Sequence, residues 1–478
     1  MKMENKRISV ILFTSMLIIL ASCKLPKINL SKTDLSLPSS YSNQNDTTND
    51  GALSWRYFYH DTLLVKLINE ALKNNQELKI LQQEVIQSKN EINARRGSYL
   101  PFVSGEVQTA GNKLSRYTTE GVSEVNNPVI AGEKTQAITR NYYTGFTASW
   151  EIDIWNKLHQ LKNASINQYL ATQEGKNIAT TFLVAEIARS YYELISLDQE
   201  LIILQQNISI QKNALEIVKL EKTAAKVTEL AVRKFEAEVL KNQSNLYLKQ
   251  QEIVETENKI NYLCGRFPQA IERNDKALQS ILVDSIHVGI PSQLLKNRPD
   301  IRKAEKQILQ ANLSVKAARA QFLPSIFITS DLALNALKMP YLIKTPESML
   351  VTLLGNLAGP IINRRAIDTE YKNYDSKQKQ AVANYELTVL NSFKEVANLL
   401  SNHKNIYGSL SLKKEQVEAL TQSIDISTGL FKSARADYME VLLTQRDALE
   451  SRIELIEIQK SYLINRVNLY QALGGGWK

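Results

Sequence analysis

The sequence predicts a mainly α-helical chain with a membrane β-barrel contribution, organised as a two-fold internal repeat. Two long runs, residues 129–267 and 361–478, contain none of the 11 prolines, and outside the terminal Gly474-Gly475-Gly476 they hold only six glycines. Such scarcity of helix breakers over more than a hundred residues, twice, points to very long helices. The runs are also copies of each other. Glu186-Ile187-Ala188 matches Glu395-Val396-Ala397, Leu230 and Val232 match Met439 and Val441, and Gly265 matches Gly474, all at a shift of 209 (395 − 186 = 209). Finally, segments that alternate apolar and polar residues precede the long helices, as half-exposed strands do.

The flank ahead of each run repeats at a different shift. Residues 94–101, ending Tyr99-Leu100-Pro101, pair with residues 317–324, ending Phe322-Leu323-Pro324, and here the shift is 223 (324 − 101 = 223). The first copy therefore carries 14 extra residues (223 − 209 = 14) between its Leu-Pro dipeptide and its long helix, as a longer loop would. Net charge is +9 over 478 residues, without a basic block. That composition argues against a nucleic-acid partner.

Residues 1–22 read as a secretion signal: a basic start, an apolar run from Ile8 to Leu20 and then small residues. The run is short for a membrane span. Leu20-Ala21-Ser22-Cys23 resembles the bacterial lipobox, in which the cysteine becomes the diacylated first residue; the alternative is a buried cysteine in an uncleaved anchor. Lys24 in place of aspartate argues, by analogy with enterobacterial sorting, against retention in the inner membrane. No cofactor is expected beyond the diacylglycerol and N-acyl lipid on Cys23. Residues 23–54, rich in Ser, Asn, Asp and Thr, read as a lipidated, extended tether. Cys264, the other cysteine, reads as a small core residue.

The first repeat is placed at 55–265. From Asp61 the pattern turns helical, with Leu64, Leu67, Ile68 and Ala71 at three and four spacing, and is expected to run unbroken to about Ser98. Residues 102–108 alternate, a polar loop follows to about Arg140, and residues 142–154 alternate more clearly. Tyr142, Phe146, Ala148, Trp150, Ile152 and Ile154 fall on the apolar side. A half-buried soluble sheet and a membrane barrel both fit this pattern; in the barrel, Tyr142, Tyr143, Trp150 and Trp155 would sit at the interface. One helix then spans 156–218 and breaks between Thr223 and Thr228. The returning helix carries Val232, Val239, Leu246, Ile253 and Ile260 at strict seven spacing, a seam for a neighbouring helix. After a linker at 266–297, the second repeat, 298–478, gives the same order: a helix, strands at 325–334 and 349–358, and two long helices. These break between Phe431 and Asp437, and Val441, Ala448, Leu455, Tyr462 and Leu469 form the second seam.

Several segments resemble the outer-membrane factor family of tripartite efflux systems, the TolC-like channels, and within it the NodT-type lipoproteins. They are residues 150–155 (Trp-Glu-Ile-Asp-Ile-Trp), Gly289-Ile290-Pro291-Ser292, Arg298-Pro299-Asp300-Ile301-Arg302, Leu323-Pro324-Ser325-Ile326, residues 434–439 with Gln445-Arg446, and the tail from Leu469 to Trp477. The resemblance implies a homotrimer in which each chain gives four strands to a 12-stranded barrel in the outer membrane, continued by a helical periplasmic tunnel. It also implies a periplasmic adaptor, met by tips at Thr223, Thr228, Leu230, Ala434, Arg435 and Tyr438, and an inner-membrane pump, proton-driven in most of this branch. Relatives often place an aspartate four residues after the position of Met439, and this chain has Leu443 there. An apolar gate at Met439 and Leu443, beside Asp437, is therefore expected, the alternative being that both side chains pack between helices.

The chain offers no clustered enzyme site. His60, His159, His287 and His403 are scattered, and no phosphate-cradling glycine loop or nucleophile elbow occurs. The competing non-enzyme reading is a non-conducting periplasmic coiled-coil scaffold lipoprotein, which has no use for two amphipathic hairpins at equivalent places in the repeats.

Overall fold

The computed structural model describes residues 25–41, 48–126, 138–274, 287–360, 362–433 and 435–478. The signal segment, Cys23, Ala434 and the middle of the 266–297 linker lie outside them. The chain divides into two compact units. One holds Ile86–Leu170, Lys306–Ala383 and the described residues up to Lys32, and the other holds Thr33–Val85, Ala171–Glu305 and Asn384–Lys478.

The element order is α1 (Trp55–Phe58), α2 (Thr62–Asn74), α3 (Gln76–Gly97), β1 (Phe102–Asn112), α4 (Thr119–Asn126), β2 (Thr139–Ile152), α5 (Lys157–Thr223), α6 (Glu229–Leu263), α7 (Leu294–Asn297), α8 (Pro299–Ala320), β3 (Ser325–Ala336), α9 (Met339–Leu342), β4 (Met349–Ala358), α10 (Arg365–Lys432) and α11 (Tyr438–Ala472). The two shifts read from the sequence reappear in the element ends. Adding 223 to α3 gives α8, and adding 209 to α6 gives α11. The 14 extra residues fall between β1 and β2, where 26 residues (113–138) stand against 12 (337–348) between β3 and β4. α5 alone, 67 residues at about 1.5 Å each, is roughly 100 Å long.

Three expectations are corrected. The helix from Asp61 is not continuous: Asn75 is extended (φ −56°, ψ 128°) and separates α2 from α3. Its side chain explains the break. Its Oδ1 accepts the Leu78 N–H at 3.0 Å, capping α3, while its Nδ2 donates to the Leu263 carbonyl at 2.9 Å at the end of α6. The break recurs in the copy, where Asn75 shifted by 223 is Arg298, extended (φ −80°, ψ 118°) ahead of Pro299; its guanidinium does not cap α8 but donates to the Ala472 carbonyl at 2.7 Å. The loop expected up to Arg140 contains α4, and β2 ends at Ile152, so Ile154 lies in the turn into α5 rather than in a strand. There the Asp153 carboxylate accepts the N–H groups of Leu158 and His159 at 3.0 and 2.9 Å, satisfying two free donors of the first turn.

The tether is the third correction. Residues 25–41 form neither helix nor strand, yet they are docked. Leu25, Ile28 and Leu30 pack in the first unit against Val315, Phe322 and Tyr371, where Ser31 exchanges two backbone hydrogen bonds with the Gln378 amide, at 3.2 and 2.9 Å. Leu35, Leu37 and Tyr41 pack in the second unit against Leu294, Ile301 and Val396. The apolar side chains spaced among the polar ones bind this segment to the helices.

The first unit contains one antiparallel sheet in the order β1-β2-β3-β4. The second has its largest core between α2, α5, α6 and α11, built around Leu64, Ile68, Ile187, Tyr191, Ile260 and Tyr470. Cys264 is fully buried there, its Sγ donating to the Leu67 carbonyl at 3.7 Å, and burial pushes its thiol up to about 11. It is a core thiol. Of the ten seam residues, Val232, Val239, Ile260, Val441, Ala448, Tyr462 and Leu469 are buried, as helix–helix packing requires, and Leu246, Ile253 and Leu455 are half-buried.

Candidate functional site: sheet faces and helical tips

Register decides what the sheet does. Val107 faces Thr144, which faces Leu334, which faces Met349; Gly105, Phe146, Leu332 and Val351 form the next row; Val103, Ala148, Ser330 and Leu353 the next. Trp150, Ile328 and Gly355, then Ile152, Ile326 and Leu357, complete one nearly continuous apolar face. β4 alternates weakly in sequence, because Leu350 and Leu354 stand on the other side. Much of the apolar face is uncovered in the single chain, with Val107 86% and Leu353 75% exposed. An apolar patch across four strands marks contact with lipid or with another chain.

The opposite face carries Ser104, Glu106, Gln108, Thr147, Asp331 and Thr352. Tyr143, expected beside Tyr142 at an interface, belongs to this polar face, opposite Gln108 and Asn335. Both tryptophans are tied to backbone near the two Leu-Pro turns: Trp150 Nε1 donates to the Tyr99 carbonyl at 3.0 Å and Trp155 Nε1 to the Pro324 carbonyl at 2.7 Å. A polar tip on an apolar ring suits a position at an apolar boundary.

The helical tips are equivalent. At the first, Ala225 takes a left-handed conformation (φ 55°) and the Lys226 N–H donates to Glu221 O at 2.9 Å; at the second, the Arg435 N–H donates to Leu430 O at 2.9 Å. Each is the six-to-one bond that closes a helix C-terminus. Thr228 and Asp437 then take the N-cap positions of α6 and α11 in extended conformation, neither with a side-chain cap bond. The structure brings the two tips together: Tyr438 and Leu442 pack on Leu215, Val218, Val232 and Phe235, and Met439 Sδ accepts from Lys234 Nζ at 3.8 Å. Thr223, Thr228, Leu230, Arg435 and Asp437 are exposed, and Tyr438 and Met439 half-buried. Leu443 is 40% exposed and outside the apolar cluster. Lys234 and Phe235 were not anticipated as tip residues, although Val232, Phe235 and Val239 are spaced as an apolar helical stripe.

Beyond the tips, Arg298 joins three helices. Its Nε and Nη2 donate to the two oxygens of Asp300 at 3.0 and 2.8 Å, and its Nη1 donates to Glu395 at 2.8 Å and to the Ala472 carbonyl at 2.7 Å. Burial disfavours its charge, but Asp300 and Glu395 more than offset this and hold its pKa above the usual guanidinium value. Among the described residues no group of His, Cys, Asp and Glu is placed to hold a metal ion, and no helix is long and apolar enough to cross a membrane.

Comparisons with known proteins agree with this arrangement. The family model described as outer membrane efflux protein matches residues 67–266 and 290–475, one stretch per repeat. The cation efflux system protein CusC of Escherichia coli O6:H1 is 27% identical over 427 residues, 89% of this chain and 88% of its own. The probable outer membrane lipoprotein SilC of Salmonella typhimurium is 24% identical over 423 residues, 88% of each chain. A crystal structure of CusC, solved to follow folding and transmembrane channel formation, superposes with a TM-score of 0.81 at 25% identity, covering 95% of this chain and 100% of that one. The chain therefore belongs to the outer membrane efflux protein family: it is an efflux-channel subunit of the outer membrane, with a sheet for the bilayer and a helical periplasmic body.

Proposed function

We propose that three copies of this chain close their sheets into one barrel of 12 strands (3 × 4) and pass cargo outward from a periplasmic adaptor and a proton-driven inner-membrane pump. The observation that carries this reading is the sheet itself. In lipid, the outer edges of β1 and β4 would each leave a row of N–H and C=O groups without partners, costing several kcal/mol per group. Closure through further copies pairs both edges and puts the apolar face to the lipid. The channel is passive, its energy coming from the pump. Cys23 carries the lipid anchor in this reading. The full-length protein from outer membranes is expected to run as a heat-modifiable trimer and to conduct ions in planar bilayers. A body released in soluble form by cleaving after the lipidated segment, with no conductance, would instead identify a scaffold.

The tips meet the adaptor through the exposed Thr223, Thr228, Leu230 and Arg435, with Tyr438 beside them. Met439 and Leu443, one helical turn apart near Asp437, form an apolar gate. The half-exposed Leu443, standing clear of its own chain's apolar cluster, supports this over packing between helices. Replacing both residues by serine is expected to raise the closed-state conductance of the reconstituted trimer severalfold. An unchanged closed state sinks the gate.

A further inference from the structure

We infer that Glu106 and Asp331 make the barrel interior cation-selective, so that the charge preference of this channel is set in its strands and not at its helical tips. The inference rests on the reading that the sheet closes into a barrel with its polar face inward. Register supplies the rest. The acidic residues of the four strands are Glu106, Glu151 and Asp331, and all three fall on the polar face. The only basic residue in the strands is Arg140, whose partner Gly111 puts it on the opposite face. Glu151 is neutralised by an ion pair with Lys157. No cation pairs with Glu106 or Asp331 among the described residues.

The surroundings leave both carboxylates open to the interior. Glu106 is exposed and its row continues through Gly145 and Ala333, which have almost no side chain, to Leu350 on β4, and Asp331 shares its row with Ser104, Thr147 and Thr352. The rows lie two residues apart along the strands, about 7 Å. Each copy thus gives two fixed negative charges at nearly one height, and three copies give six (3 × 2). Charges of one sign on a water-filled wall draw in counter-ions and exclude co-ions over about one Debye length, roughly 10 Å at 0.1 M salt. The gate residues Met439 and Leu443 add no charge of their own. These are specificity-determining residues, not a binding site; small cations are favoured, small anions opposed, and uncharged cargo unaffected.

The test is the reversal potential of the full-length trimer in planar bilayers under a KCl gradient. The wild type is expected to prefer potassium over chloride by about threefold or more near 0.1 M salt, and to lose the preference near 1 M, where the Debye length is about 3 Å. The near-isosteric double variant Glu106→Gln with Asp331→Asn should bring the ratio close to one at the same unitary conductance, and Asp331→Lys should move it towards chloride. Conducting channels that are unselective as wild type, or keep the wild-type ratio in the double variant, overturn this inference alone. A protein that forms no conducting channel overturns the barrel reading, and this inference with it.

Discussion

Truncation of Arg298 to alanine is expected to lower the stability of the helical unit by about 1.5–3 kcal/mol, the loss of charge-assisted hydrogen bonds to acids that stay partly exposed, Asp300 at 31% and Glu395 at 45%. The Arg298 side chain is 13% exposed and holds Asp300, Glu395 and the Ala472 carbonyl at once, so its loss leaves one of the final carbonyls of α11 without its donor and two partly exposed acids without their cation. The effect is local in sequence and wide in consequence, because α8, α10 and the C-terminus of α11 all lose a partner. Gly474, at φ +90°, allows this approach: a Cβ there would stand 2.6 Å from the Asn297 carbonyl carbon and oxygen and 2.9 Å from the Arg298 nitrogen. Arg298→Lys keeps the charge without the planar fork and should recover less than half of the loss. Apparent melting temperature of the detergent-solubilised protein, followed by helical circular dichroism, reads both variants. An Arg298→Ala protein melting with the wild type refutes the assignment.

Gly145→Val should be as damaging in the sheet. Gly145 stands in the middle of β2, between Glu106 and Ala333. A Cβ at this position would press on the Ala333 side chain and come within 2.5 Å of Ala333 Cα and 2.6 Å of the Leu332 carbonyl oxygen, so backbone of β3 must move. Overpacking that displaces backbone costs about 3 kcal/mol or more and here parts the β2–β3 ladder. The expected readout is loss of the heat-modifiable oligomer. Gly145→Ala should be milder, and Ala333→Gly should partly rescue it, since the two substitutions share one clash and are not additive. Equal oligomer yield from wild type and Gly145→Val would show that the strands separate at this point without harm.

Much of this was legible in the sequence because the chain states its fold twice. The shifts of 209 and 223 located both tips, both glycine stops and the extra loop before any coordinate was needed. The misses have physical causes. Asn75 breaks a helix through a side-chain bond to Leu263, a partner 188 residues away, although its copy Arg298 beside Pro299 carried the signal. The docking of residues 25–41 depends on grooves that no local pattern reveals. In β4, alternation along the sequence does not tell which of two leucine sets shares a face with Phe146 and Leu332; only the ladder does. At the tips, the turns were readable from their breaks, whereas the packing of Tyr438 and Leu442 on Phe235 joins residues about 200 positions apart.

The order of strands in the sheet has a consequence for how the chain reaches its folded state. β1 meets β2 across 47 residues at Phe102 and Ser149, and β3 meets β4 across 33 at Ser325 and Ala358, so both hairpins are cheap in chain entropy. The middle ladder joins Thr147 to Asp331, 184 residues on, with α5 and α6 between them. Contacts this distant in sequence form slowly. By the same argument, zipping of β2 to β3 is expected to follow formation of the two hairpins. Until then each hairpin presents an unpaired inner edge with an apolar face, the kind of edge that invites pairing with a wrong partner.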